Sequence, residues 1–289
     1  MSKTKLLIFQ IFALMACLII AAAVGIILLQ TAYEQSSTEE LVLKQEFHRY
    51  IVDGDHEMVK KMIADHPKLV NLPLAKNSHE YAESVNDDTP LIAAKADLKM
   101  VRLLLDNGAN VNQATPISHR YPLTAILASG ANERFDIAWL YISKGADVNC
   151  EDYVNGTVPY AILSCEGIIQ LNLQNSAAEL MEYMVKKGVS LDMPERPSSV
   201  YNSLLGLAAQ NNYYKVIQYF AKAKLFDFNA KVTADNKTAL MIAAKYGNYG
   251  ATNHLVFYGA REHFKDDYGK TAYDYAKISG DERTINYLA

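Results

Sequence analysis

The residues that could do chemistry in this chain are few and widely spaced. The carboxylate pairs Asp87-Asp88 and Asp266-Asp267 could serve acid–base chemistry in a cleft, but we favour turn and cap roles for them. No GxSxG, HExxH, Walker or GxGxxG motif is present. No two histidines stand four residues apart, so no helical pair of zinc ligands is visible among His48, His56, His66, His79, His119, His254 and His263. The sequence therefore predicts a protein that is not an enzyme and holds no cofactor or metal.

The composition is that of an ordinary globular protein. Of 289 residues, 50% are hydrophobic and 21% are charged, which argues against a disordered or disulfide-rich chain. The formal net charge is −4, whereas a dedicated nucleic-acid binder would normally be basic. We therefore expect no nucleic-acid partner.

A long apolar run occupies the N-terminal region. Residues 6–29 contain no charge and one strongly polar side chain, Gln10. As a helix these residues would span roughly 36 Å, enough to cross a ~30 Å hydrocarbon core. Lys3 and Lys5 precede the run, so we expect the preceding stub in the cytoplasm and the rest of the chain across the membrane.

Three interpretations of this run compete. Ala21-Ala22-Ala23 could be a signal-peptide cleavage site, and Leu14-Met15-Ala16-Cys17 resembles a lipobox. The run stays apolar beyond both points, so an uncleaved signal-anchor is favoured. The predicted domains are residues 1–32 (cytoplasmic stub and transmembrane signal-anchor, or signal peptide), residues 33–40 (linker) and residues 41–289 (a repeat domain).

Two phrases alternate through residues 41–289. One appears as NGANVN at residues 107–112 and as KGADVN at residues 144–149. The other appears as DTPLIAA at residues 88–94 and as TALMIAA at residues 238–244. The second phrase returns at spacings of 32, 37, 45, 35 and 33 residues.

This period and these phrases resemble the ankyrin repeat, a unit of ~33 residues with a TPLHxA-type signature. The resemblance implies an all-α repeat solenoid of helix pairs joined by β-hairpin-like turns, preceded by the transmembrane helix. We count about seven repeats, of which the first and the last are caps. One unit cannot bury its apolar face alone, so stacked neighbours must supply the core.

Local signals agree with helix pairs. Thr89, Thr238 and Thr271 stand where helices should begin, and threonine is a good N-cap. Glycine after the second helix, as at Gly108, suits a left-handed cap. Trp139 is predicted in the core, and we place His48 and His56 on the solvated face of the opening repeat.

Departures from the repeat point to a binding face. About ten residues are inserted before Pro90, and the fourth repeat is extended near CEGIIQLNLQNS at residues 165–176. Insertions in repeat proteins map to loops on one face, which often binds the partner. Aromatic and Arg side chains anchor interfaces, so the partner-binding candidates in and near such loops are His79, Tyr81, His119, Arg120, Tyr153, Arg196 and Tyr201.

Cys150 and Cys165 leave two alternatives open. In an oxidising compartment a disulfide between them would stabilise the fold by about 3 kcal/mol. In a regular repeat Cys150 opens a hairpin while Cys165 ends the next helix, a separation beyond the ~7 Å limit for a bridge. Two buried free thiols are therefore favoured.

The resemblance also suggests a function. Exported ankyrin proteins with one N-terminal anchor are commonly bacterial, and some act as immunity proteins against toxic secreted effectors. We expect a protein in the bacterial inner membrane, anchored by residues 6–29, whose periplasmic ankyrin domain binds and inhibits such an effector. The alternative is a scaffold or accessory protein for a periplasmic or membrane complex, similar to the ankyrin proteins that support a catalase.

Overall fold

A computed structural model describes residues 39–74, 87–165, 171–193 and 201–289. The apolar run at residues 6–29 and its signal-peptide and lipobox alternatives lie outside these ranges and stay predictions. Within the described ranges, no helix has both the length and the apolar character needed to cross a membrane.

Seven helix pairs follow one another along the described residues. The first pair is α1 (residues 39–52) and α2 (His56–Asp65), after which a 3-10 turn covers Pro67–Asn71. The other pairs are α3 (Pro90–Ala93) with α4 (Leu98–Asp106), α5 (Pro122–Leu127) with α6 (Arg134–Ser143), α7 (Val158–Leu163) with α8 (Leu171–Lys186), α9 (Leu204–Gln210) with α10 (Tyr214–Lys222), α11 (Ala239–Lys245) with α12 (Tyr249–Phe257), and α13 (Ala272–Ser279) with α14 (Glu282–Leu288). Strands β1 (Glu151–Asp152) and β2 (Gly156–Thr157) form one antiparallel hairpin. The predicted helical repeat array is confirmed.

The helices form two rows. Helices α3, α5, α7, α9, α11 and α13 pack successively against one another as the inner row, and most of their even-numbered partners do so as the outer row. Inner helices are four to eight residues long and carry buried small pairs such as Ala208-Ala209 and Ala243-Ala244. Small side chains let inner helices approach closely, so the concave face of the stack lies on the inner side. One hydrophobic core runs continuously from Phe47 to Leu288.

The predicted capping signals set the helix ends. The Thr89 and Thr271 side chains accept hydrogen bonds from the amides of Ile92 and Asp274. Each threonine thus satisfies a backbone N–H of the first turn that has no acceptor within the helix. Gly108 has φ +88°, a left-handed conformation in which a β-carbon would be strained. The helices with these signals therefore start and stop where the sequence indicates.

Asparagine side chains join the successive turns that precede the inner helices. The Asn71 amide donates to the carbonyl of Gly108 at 2.9 Å, and its oxygen accepts from the backbone of Asn110 at 2.6 Å. Asn229 repeats this arrangement with Gly259 at 3.1 Å and Arg261 at 2.8 Å. Because each bond crosses from one repeat to the next, these residues fix the spacing of neighbouring turns.

The extension of the fourth repeat lies partly in a helix rather than in a loop. Helix α8 has 16 residues, against nine in α10, so the segment from residue 171 onward adds turns to the outer row. The buried Gln174 donates to the carbonyl of Asn212 at 2.8 Å, and its oxygen accepts from the amide of Lys215 at 3.4 Å. The added turns thus tie the fourth repeat to the fifth.

One expectation for the opening repeat needs correction. His48 is buried rather than solvated, and its Nε2 lies 3.1 Å from the carbonyl oxygen of Leu72. Burial lowers the pKa of His48, which favours the neutral imidazole. His56 is only half-buried, with Nε2 2.9 Å from Asp97 Oδ2. Residues 39 and 40 are already helical, so α1 reaches into the predicted linker at 33–40.

Candidate functional site

A buried carboxylate organises the segment between α4 and α5. Asp87 accepts hydrogen bonds from the amides of Ile117 and Ser118, both at 2.7 Å, and from the Ser118 hydroxyl at 2.8 Å. Burial by itself would raise the pKa of Asp87, but these hydrogen bonds lower it below its ordinary value. Asp87 therefore fixes the second repeat to the loop of the third. Asp87 does not have the local turn role predicted for it, because its partners lie 30 and 31 residues away in the chain, whereas Asp266 does accept within its own turn, from the amides of Tyr268 and Lys270.

Arg120 is held in one orientation beside this carboxylate. Its guanidinium donates to Asp88 and, through Nε, to the Ser118 hydroxyl at 3.2 Å. Its backbone amide donates to the Thr115 hydroxyl at 2.9 Å. Because the side chain remains about a quarter exposed, Arg120 presents to the inner face a fixed guanidinium that is paired with Asp88.

His119, which precedes Arg120 in the chain, faces the β1–β2 hairpin. His119 is exposed in a left-handed conformation (φ +49°), and its ring centroid lies 5.4 Å from that of Tyr153 in an edge-to-face arrangement. Tyr153 sits in the β1–β2 turn and is 81% exposed. The structure thus brings two of the predicted residues into contact and places Arg120 next to them in the chain.

The β1–β2 hairpin that carries Tyr153 is held by Asp152. This buried carboxylate accepts from the amide of Val154 at 2.9 Å, from the backbone and side-chain amides of Asn155, and from the hydroxyl of Thr124 on α5. The hairpin is consequently fixed to the inner helix before it, so the aromatic tip does not depend on a partner for its position.

A groove lies between α3 and α5 beneath these tips. It encloses about 390 Å³, its floor includes Leu91 and Ile126, and Lys95, Arg120 and Asn155 stand among its polar lining. Lys95 is exposed in a left-handed conformation (φ +49°). An apolar floor with fixed polar groups along it suits a protruding side chain of a protein partner.

The other predicted residues are placed differently. His79, Tyr81 and Arg196 lie outside the described residues, so their partner-binding roles stay predictions. Tyr201 is half-buried, donates its hydroxyl to Gln210 and lies against α9, which gives it a structural contact in addition to any binding role. Trp139 was predicted in the core but is half-buried at its edge, where it packs against Tyr183 with ring centroids 5.1 Å apart.

Both described cysteines are free and buried. Cys165 donates its thiol to the carbonyl of Leu127 at 3.6 Å, and burial raises the pKa of Cys150 to about 12. The disulfide alternative is therefore not the arrangement in this structure. Over the described ranges, no three His, Cys, Asp or Glu side chains stand close enough together to hold a metal ion.

Sequence reasoning missed part of this surface. Ile117 and Val154 are 48% and 53% exposed on the two loops that carry His119 and Tyr153, and Lys95 lines the groove. The signal for Ile117 was available, since the segment from Asn112 to Pro122 is one residue longer than a regular turn and holds an isolated apolar residue. Lys95 gave no such signal, because its position beside Arg120 depends on how α3 and α5 stack.

Comparison with protein families finds ankyrin repeats in two parts of the chain. The model described as ankyrin repeats (3 copies) matches residues 169–266 and 205–289, and the single ankyrin repeat model matches residues 86–116. Among curated proteins, alpha-latrotoxin-Lg1a of Latrodectus geometricus is 26% identical over 148 residues. That match covers 51% of this chain and 10% of the toxin, so the chain spans about a tenth of that relative's length.

Two solved structures are also similar. The human ASB11 ankyrin repeat domain superposes with a TM-score of 0.57 at 21% identity, covering 84% of this chain and 97% of that one. A chain from the complex of the Bd0816 predatory endopeptidase with the immunity protein Bd3460, of Bdellovibrio bacteriovorus, gives a TM-score of 0.49 at 24% identity and covers 68% of this chain and 95% of its own. At these identities neither likeness shows more than a fold.

Proposed function

Because this chain belongs to the ankyrin repeat family, whose members are typically protein-interaction modules, we propose that it binds a protein on the concave face of its second to fourth repeats. The observation that carries the proposal is the His119–Tyr153 pair beside the groove lined by Arg120 and Lys95. Exposed aromatic side chains next to a fixed arginine are the residue types that dominate interface energetics.

The preorganisation of this surface supports the proposal. Asp87 and Asp152 fix the two loops by hydrogen bonds within the chain. A surface that is already ordered loses little conformational entropy when a partner binds, which favours affinity. The aromatic tips and the groove are therefore suited to a folded partner with a protruding side chain.

The proposed location is the periplasmic side of a bacterial inner membrane. It rests on the uncharged run at residues 6–29 and on Lys3 and Lys5 before it. A short linker would keep the repeats close to the membrane and raise their effective concentration there. The partner we propose is a toxic secreted effector, which the protein neutralises by covering the effector's active site.

A site-specific crosslinking experiment tests this proposal in the intact protein. A photoreactive phenylalanine analogue replaces Tyr153 in the full-length chain, and the matched control carries it at Phe257, which is 76% exposed at the end of the outer helix α12. The expected result is one dominant protein adduct from position 153. The partner in that adduct, purified on its own, should lose its toxic activity when this protein is added. Adducts from position 257 alone would contradict the concave-face assignment.

The same experiment addresses the scaffold alternative. Phe257 is a large exposed aromatic residue on the outer row, which favours a second contact surface. A scaffold would give different protein adducts from positions 153 and 257 at the same time, with no loss of activity in either partner. An immunity protein would give an inhibited partner at position 153.

A further inference from the structure

A second cavity lies at the opposite end of the helices from the aromatic tips. It encloses about 490 Å³ between the turn that joins α9 to α10 and the turn that joins α11 to α12. The loops with His119 and Tyr153 precede inner helices, whereas these turns follow inner helices of later repeats, and no described residue lines both the groove and this cavity. We call this space the turn cavity; its aromatic and cationic lining is Tyr214, Tyr246, Tyr249 and Arg283.

Three tyrosine rings line the turn cavity, and the Tyr246 ring is the most exposed of them. Tyr246 is 48% exposed, and Tyr214 and Tyr249 are half-buried at the first residues of α10 and α12. The edge-to-face contact between Tyr249 and Tyr287, with centroids 5.7 Å apart, steadies one wall. Such rings offer flat faces of negative electrostatic potential, against which the weakly positive C–H groups of a sugar ring stack.

Hydrogen bonds within the chain fix the polar wall of the turn cavity. The Asn248 side chain donates to the carbonyl of Ala209 at 3.0 Å, and the Asn212 side-chain oxygen accepts from the amide of Ala251 at 2.9 Å. Gly250 lines the cavity too, and a β-carbon there would come within 3.0 Å of the Tyr214 ring. The wall is therefore shaped before a ligand arrives.

The charges around the turn cavity are mostly positive, and the exception is Asp281, whose Oδ1 lies 3.9 Å from Arg283 Nε. No Asp or Glu is among its lining residues in the described chain, while the Arg283 side chain is 76% exposed and its guanidinium lies 5.7 Å from the centre of the Tyr249 ring. The ammonium groups of Lys215 and Lys245 lie 5.9 Å and 5.5 Å from the ring centres of Tyr214 and Tyr246. This arrangement disfavours a cationic ligand and favours an anionic one.

We infer that the turn cavity binds a pyranose glycan that carries a carboxylate. Tyr246 and Tyr214 stack on the sugar rings, and Arg283 pairs with the carboxylate as a two-pronged donor. This site goes beyond the proposed protein-binding function and uses none of its residues. A free acidic oligosaccharide and an acidic cell-wall polymer share this chemistry, and the experiment separates them.

Calorimetric titration of the full-length chain in detergent tests the soluble form of the ligand. The probes are the disaccharide of N-acetylglucosamine and N-acetylmuramic acid, which carries a carboxylate, the neutral tetramer of N-acetylglucosamine, and inorganic phosphate. We expect the acidic disaccharide to bind at least fivefold more tightly than the neutral tetramer, and phosphate to show no saturable binding. The inference would be overturned if neither sugar bound, or if phosphate bound as tightly as the acidic disaccharide.

Two variants separate stacking from charge. Tyr246→Ala should weaken binding of both sugars at least tenfold, and Arg283→Gln should weaken only the acidic one, about fivefold. Tyr268→Ala is the matched control, since Tyr268 is 72% exposed but does not line the turn cavity. Unchanged sugar affinity in Arg283→Gln and Tyr246→Ala, with thermal unfolding equal to that of the parent, would overturn the inference.

Co-sedimentation with insoluble peptidoglycan separates the two sources of ligand. The site is assigned to the polymer if the protein pellets with peptidoglycan, Tyr246→Ala abolishes the pelleting, and the soluble disaccharide binds weakly. Tight binding of the disaccharide without pelleting assigns it to free oligosaccharides. Both results support the site and are independent of whether any effector is inhibited.

Discussion

The side chain of Asn112 spans from one repeat to the next by donating to the carbonyl of Gly145 at 2.9 Å. The oxygen of the same amide accepts from the backbone of Asp147 at 2.7 Å. Two bonds from one exposed side chain thus set the distance between the loop that carries His119 and the hairpin that carries Tyr153. The geometry of the proposed binding surface depends on this residue although it contacts neither ring.

We predict that Asn112→Ala lowers the free energy of unfolding by about 1 kcal/mol, because two inter-repeat hydrogen bonds are lost where water can replace them in part. Chemical denaturation of the full-length chain measures the change. Asn286→Ala is the control, since Asn286 is exposed on the last helix. Equal stability of both variants would show that the Asn112 bonds contribute nothing.

Replacement of Asp87 should reduce the acid sensitivity of the fold. The folded-state pKa of Asp87 lies below its ordinary value, so the carboxylate stabilises the fold above the unfolded pKa of ~3.9. That stabilisation is lost as the pH falls through the folded pKa. Asp87→Asn should therefore cost about 1–3 kcal/mol at pH 7 and show a smaller further loss between pH 5 and pH 3 than the parent.

The measurement for Asp87 is the free energy of unfolding across this pH range. Asp106→Asn serves as the control, because the Asp106 side chain is 67% exposed and its pairing with Lys144 lies on the surface. If Asp87→Asn kept the parent's full pH dependence, the loss of unfolding free energy at low pH would belong to another carboxylate.

Tyr153→Ala should weaken the complex with the protein partner without changing the stability of the fold. The side chain is 81% exposed, so its removal leaves the core intact, while the loss of an anchor at an interface costs roughly 2 kcal/mol, about a thirtyfold change in Kd. Surface plasmon resonance with the partner that the crosslinking identifies measures the change in Kd. Phe257→Ala should leave the affinity unchanged, and the reverse order of effects would place the partner on the outer row.

Cys150 and Cys165 should stay reduced and unreactive in the native protein. Burial raises the pKa of both thiols, which suppresses the reactive thiolate. In a Cys17→Ser background, a thiol reagent at pH 8 should label neither residue until denaturant is added, and both afterwards. A native mass lower by two hydrogens after air oxidation would reveal the disulfide that the structure lacks.

The repeat architecture was accessible from the sequence because its signals are local. Threonine caps such as Thr271, glycines such as Gly108 and the returning phrases each specify a few backbone angles, and the structure has them in place. The extra turns of α8 were not distinguished from a loop, since an insertion lengthens the spacing in either case. The buried positions Leu173, Ala177 and Leu180 carry helical spacing that would have shown the difference.

The binding surface was accessible only in part. His119, Arg120 and Tyr153 were chosen as separate residues in or near irregular loops, and their approach depends on how two loops stack. The burial of His48 also depends on tertiary packing, because its partner is a backbone carbonyl 24 residues away in the chain. Such partners are set by tertiary packing and leave no mark on residue spacing.

The unequal helix lengths have a mechanical consequence. In an array where each unit touches only its neighbours, a force applied at Ala289 removes helix pairs one after another from that end. The buried contact of Gln174 with Asn212 adds a bond between the fourth and the fifth pair. The last two pairs, α11–α12 and α13–α14, therefore unravel before the fourth and fifth, and the repeats with His119 and Tyr153 keep their shape under a load that a bound partner transmits.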